Sequence, residues 1–112
     1  MVEEDAEGAR VLLADALQQA PDEKLADLVR VRLARVLQEL DRSDEALQTL
    51  ASVKSLGLRS VVQELKGDIH MVRGERDLAH EAYGAALSEA GEGSQRPLLE
   101  LKVADTADSD DA

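Results

Sequence analysis

A chain of 112 residues with a formal charge of −11, one aromatic residue (Tyr83) and no cysteine is at most one domain, and its composition excludes several classes. A disulfide scaffold and a thiolate metal site are excluded, and without a basic stripe the phosphate contacts that dominate nucleic-acid affinity are missing. With no Phe or Trp, a core has to be made of Leu, Val and Ala, which suits interdigitated helices; strictly alternating β-branched runs are absent, so the chain reads as all-α.

The charge is unevenly placed. Glu3, Glu4 and Asp5 open the chain and Asp105, Asp108, Asp110 and Asp111 close it, leaving 17 acids against 13 bases over residues 6–104. Residues 1–6 therefore read as a disordered acidic start and 105–112 as a disordered acidic tail around a helical domain over 7–104. No apolar run approaches the roughly 20 residues of a membrane span, and no signal peptide is visible, so the chain as given is expected to be soluble.

In chain order, Ala9, Leu12, Leu13, Ala16 and Leu17 recur at helical spacing and predict a first helix over 7–20, ended by Pro21. Asp22 is the expected cap of the next helix, whose stripe is Leu25, Leu28, Val29, Leu33, Val36, Leu37 and Leu40. After a turn at 41–43, Ser43 or Asp44 is expected to cap a helix reaching about Val53 with Ala46, Leu47, Leu50 and Val53 inward. Gly57 breaks the chain, and Ser60 to Gln63 reads as a capping box opening a helix to about Arg73. Gly74 allows a tight reversal into a helix over 76–90. Gly91 to Ser94 is a stop, and Pro97 suits the first position of a last short helix ending near Ala104, with Leu98, Leu99, Leu101 and Val103 apolar.

The segment from Lys66 to Leu87 organises the rest. Gly67, Gly74, Ala79, Tyr83, Ala86 and Leu87 follow the small-residue and aromatic pattern of a tetratricopeptide helix pair, and 33 residues earlier the same slots hold Ala34, Asp41, Ala46, Leu50, Val53 and Lys54. Small residues stand where helices cross closely and large ones where they diverge. The expected architecture is a tetratricopeptide-like α-solenoid of antiparallel helix pairs, about six helices in all, with a short C-terminal capping helix. The first helix fits the second half of a repeat unit, so the first repeat is expected to be incomplete, with an open edge that could pair two copies.

Chemistry is sparse. His70 and His80 are the only imidazoles, and no third ligand at fixed spacing supports a metal site; both read as ordinary polar histidines, His80 with Asp77 three residues before it. Gly67 and Gly74 lie in a helical pattern without a following G-K-[S/T], so no nucleotide loop is present. Neither a cofactor nor catalysis is expected. Glu64 and Asp68, at i,i+4, read as a solvated acid pair that could also hold a basic segment.

The first helix of each unit faces the concave side in such repeats, which nominates Leu28, Val31, Arg35, Gln38 and Glu39 in one unit and Glu64, Asp68 and Met71 in the next as a protein-binding groove. Val61 and Val72 share the second face. The Lys and Asn cluster that clamps a free C-terminal carboxylate in some repeats is missing: those slots carry Val31, Arg35, Glu64 and Asp68.

The run from Val31 to Lys54, with Leu33-Ala-Arg-Val36 and Asp44-Glu-Ala-Leu47, resembles the C-terminal region of the YfgM family of ancillary SecYEG translocon subunits. So do Gly67-Asp68, Arg73 to Tyr83 and Pro97 to Lys102, and the resemblance covers about residues 9–103. It implies the C-terminal part of a non-enzymatic protein whose full length has a cytoplasmic end, one membrane span and a periplasmic repeat domain at the bacterial inner membrane. Implied partners are the translocon complex, a PpiD-type periplasmic foldase and unfolded clients. The same groove also suits a cytoplasmic repeat scaffold or a regulator that sequesters a signalling protein.

Overall fold

The computed structural model describes residues 2–107. They form α1 (Val2–Gln19), α2 (Glu23–Glu39), α3 (Ser43–Ala51), a 3-10 turn at Leu56–Leu58, α4 (Arg59–Val72), α5 (Arg76–Ala90) and α6 (Arg96–Thr106). Among the described residues there is no strand, and the all-α, tetratricopeptide-like reading holds. The chain divides after Leu58 into two compact units, each with its own apolar core.

In the first unit α2 packs against both α1 and α3. Asp22 caps α2 as expected, its carboxylate accepting from the Leu25 amide at 2.8 Å. The buried face of α2 is Ala26, Asp27, Val31, Leu33, Ala34 and Leu37, while Leu25 and Leu28 are each 43% exposed. The inward stripe is thus rotated from the one read through the leucines, because the close crossing with α3 takes small residues: Ala34 and Ala46 are both fully covered. α1 begins at Val2 and reaches back across the stretch read as a disordered start. Ala6 is buried there, so the helix has an apolar anchor near its beginning.

In the second unit α5 packs against both α4 and α6. Its core is Val62, Ile69, Ala79, Ala82, Tyr83, Ala86 and Leu99. Gly67 is buried where α4 meets the Tyr83 ring: a Cβ at residue 67 would lie 2.5 Å from Tyr83 Cε1 and 2.6 Å from Cδ1. Glycine is required by that approach.

The 33-residue period is visible in the backbone of each hairpin taken by itself. Asp41 and Gly74 both occupy the left-handed region, at φ 60° and 75°. The next amides close the same way, Arg42 N–H to Leu37 O at 2.9 Å and Glu75 N–H to His70 O at 2.8 Å. Ala34 and Gly67, Ala46 and Ala79, and Leu50 and Tyr83 are buried at equivalent places.

Three local expectations change. Neither Ser43 nor Asp44 caps α3: its N-cap position is Arg42, without a side-chain cap, and Ser43 Oγ donates to Gln38 Oε1 at 3.2 Å. Ser60 does not use its hydroxyl in a capping box, since Oγ donates to Ala86 O at 2.9 Å, tying the start of α4 to α5. The last helix runs to Thr106 rather than 104, because Thr106 is 3% exposed and hydrogen-bonded on both sides. Residues 108–112 of the expected acidic tail lie outside the described residues.

Candidate protein-binding site

The nominated groove residues fall in both units and take different environments within them. On α2, Arg35 and Glu39 are exposed, and Gln38 is half-buried and accepts the Ser43 hydroxyl. Val31 is 7% exposed and belongs to the core of the first unit, so a partner cannot reach it without opening that core. Packing against neighbouring helices has claimed this slot. Leu28 is open: with Lys24, Ser55, Leu56, Gly57 and Leu58 it lines a cleft of about 440 Å³, and Leu56 is 74% exposed.

On α4 the acid pair is brought together and filled from within the chain. Lys102 Nζ of α6 lies 2.8 Å from Glu64 Oε2 and 3.1 Å from Asp68 Oδ1, and 5.4 Å from the centre of the Tyr83 ring. The Tyr83 hydroxyl donates to the same Asp68 oxygen at 2.5 Å. Burial, reinforced by the Asp68 and Glu64 carboxylates, pushes the Tyr83 phenol well above its usual value. Burial alone would lower the Lys102 ammonium, yet its bonds to Glu64 and Asp68 outweigh it and hold it above the ordinary lysine value. The ammonium is therefore charged throughout the physiological range. Met71, one turn on, is 40% exposed and Val72 67% exposed.

Among the described residues no cluster of three or more His, Cys, Asp or Glu side chains could hold a metal ion. His70 Nδ1 meets Glu75 Oε1 at 2.8 Å across the Gly74 turn. His80 Nδ1 lies 3.1 Å from Val103 O and 3.0 Å from Thr106 Oγ1 rather than on Asp77. Thr106 Oγ1 donates its one proton to the Lys102 or Val103 carbonyl, and Val103 O only accepts, so the His80 ring carries its proton on Nδ1. Thr106→Val is expected to cost about 1 kcal/mol, the usual value of a lost internal hydrogen bond, read as a lower urea midpoint at unchanged slope.

Sequence reasoning missed Asp27. The residue is buried in the first unit, its side chain 2% exposed. Oδ2 accepts from Lys54 N (3.1 Å), Ser55 N (2.9 Å) and Ser55 Oγ (2.6 Å), and Oδ1 pairs with Arg30 at 2.7 Å. Burial pushes this carboxyl up, but the Ser55 hydroxyl, Arg30 and the two amides more than offset it and bring it down to about 2. It closes the end of the α2–α3 hairpin by taking the amides that follow α3. The available signal was its register: residues 27, 31 and 34 share one helix face, and the other two are buried apolar residues.

A family model described as a tetratricopeptide repeat-like domain matches residues 1–108. The chain belongs to that family. It is 29% identical over 87% of its length to the protein named Ancillary SecYEG translocon subunit of Escherichia coli (strain K12), of which it covers 47%. Proteins of the same name from Aggregatibacter actinomycetemcomitans and Haemophilus influenzae are 34% and 30% identical over 81% and 89% of the chain, covering 44% and 48% of those proteins. This tetratricopeptide repeat-like chain thus spans about half the length of the curated relatives it matches. No solved structure matches it. Among the described residues no helix is long and apolar enough to cross a membrane.

Proposed function

We propose that this chain is the non-enzymatic protein-binding part of a translocon accessory protein, acting at the periplasmic face of the bacterial inner membrane. The observation that carries this is the similarity, over more than four-fifths of the chain, to proteins named ancillary SecYEG translocon subunits. Helix-pair repeats bind through mixed apolar and charged faces, and the open Leu28, Arg35 and Leu56 of the first unit and, taken separately, Met71 and Val72 of the second fit such a use. The partner is a periplasmic foldase of the PpiD type or a newly translocated client, held as an extended or helical segment.

An isotope-labelled amide titration with a PpiD-type foldase domain tests it. Shifts are expected at Leu28, Arg35, Leu56 and Met71, with Val31 responding only through its exposed neighbours. Shifts confined to α1, where Val11 is 52% and Leu12 72% exposed, would move the interface to that face. No shift at high micromolar foldase, and none with an unfolded client, would overturn the reading.

A further inference from the structure

The acid pair on α4 sits where a partner's side chain was expected, and the chain's own α6 holds it. α6 has 11 residues, and among them only Leu99 and Thr106 are buried; Leu98 and Leu101 are 51% and 57% exposed. A helix this short is marginal by itself and depends on its docking, which among the described residues rests on one buried leucine, on Thr106 and Val103 O held by His80, on Asp105 O held by Arg76, and on the Lys102 contacts. Elements with little buried apolar surface open locally well before the whole unit unfolds. Opening α6 would strip Glu64 and Asp68, four residues apart on one helix, of the Lys102 ammonium and uncover the apolar place filled by Leu99.

We propose that α6 is an exchangeable internal ligand of the α4–α5 face, and that an incoming amphipathic helix with a leucine and a lysine or arginine three residues later takes over the places of Leu99 and Lys102. The partner class follows from what α6 leaves behind. The vacated face offers an apolar hole, two carboxylates and the Tyr83 ring, a set that selects a basic helix over an acidic or neutral one. The net charge of −11 favours the same encounter. Met71 and Val72, exposed at the end of α4, extend the apolar surface along that helix. This inference rests on the protein-binding reading and adds that the site is closed until a competitor displaces its own helix.

The experiment uses the full chain and a fluorescent peptide with the sequence of residues 94–107. Lys102→Ala in the chain loosens its own α6 while leaving Glu64, Asp68 and Tyr83 in place. The peptide is expected to bind this variant about tenfold more tightly than the wild type, since the competent open state becomes more populated. A peptide carrying Lys102→Glu is expected to bind neither chain. Amide exchange on the unaltered chain gives a readout free of any folding defect: α6 amides should exchange at least about tenfold faster than the central amides of α4 and α5. Equal protection of α6 and α4, or equal binding of the Lys and Glu peptides, would overturn the proposal. A chain that binds the foldase domain but never the peptide keeps the protein-binding reading and loses this inference; the reverse pattern sustains the inference and rejects the foldase.

Discussion

Asp27→Ala is expected to destabilise the first unit by roughly 3–5 kcal/mol, the range for removing one member of a buried charge pair. The carboxylate is covered and serves four donors, from Lys54, Ser55 and Arg30. Alanine leaves those donors without their acceptor, and the last residues after α3 lose their attachment to α2. Measured in urea, the transition midpoint falls sharply; in amide exchange, Lys54 and Ser55 lose protection first. A variant within 1 kcal/mol of the parent would mean that water replaces the carboxylate at little cost.

The same residue sets an acid limb of stability. A folded-state value of about 2 against an ordinary 3.8 means that the folded chain holds the ionised form more tightly than the unfolded one does. The stabilisation, about 2 kcal/mol, is present in full above the unfolded value and is lost as pH falls through 3.8 towards 2. The stability gap between the parent and Asp27→Ala should therefore narrow between pH 5 and about 2. A gap that stays constant over that window would show that the carboxylate is not ionised when folded.

Gly67→Leu is the second large effect. The Tyr83 ring stands 2.5 Å from where its first side-chain carbon would be, and the ring is held by the bond of its hydroxyl to Asp68 and by Lys102 over its face. Leucine gains the roughly 1 kcal/mol of helix propensity that glycine forgoes, but overpacking costs about 3 kcal/mol or more here, so a net loss near 2 kcal/mol is expected by thermal or urea unfolding. One period earlier the equivalent residues are Ala34 and Leu50, both buried. Gly67→Ala combined with Tyr83→Leu reproduces that arrangement, and the double-mutant cycle should show favourable coupling of about 1 kcal/mol. Additive losses would mean that the ring and Gly67 do not share one contact.

The second effect arises at a place where the two hairpins solve one packing problem with different residues. A close crossing needs a small residue opposite a large one. The first hairpin buries Ala34 and Leu50 at the equivalent places, while the second sets glycine against tyrosine and adds a polar group at the tip of the ring. That polar tip draws in Asp68, and Asp68 in turn draws in Lys102 from the closing helix. The one aromatic side chain thereby links core packing to the state of the candidate binding face.

The amino-acid sequence by itself determined the helices and their pairing. Periodic Leu, Ala and Val mark helical faces, Pro21, Gly74 and the Gly91–Ser94 stretch mark the breaks, and the 33-residue spacing aligns Asp41 with Gly74 and Ala34 with Gly67. These signals are local, each set by the backbone preferences of a few neighbouring residues, so they can be read in one dimension. Only the tertiary structure decided which polar groups are spoken for. Val31 went into the core, Asp27 collected donors 27 and 28 residues away, and Lys102 crossed 34 and 38 residues to fill the acid pair. A charged side chain carries no mark of its distant partner, and whether it faces water or a counter-charge depends on how the helices come together.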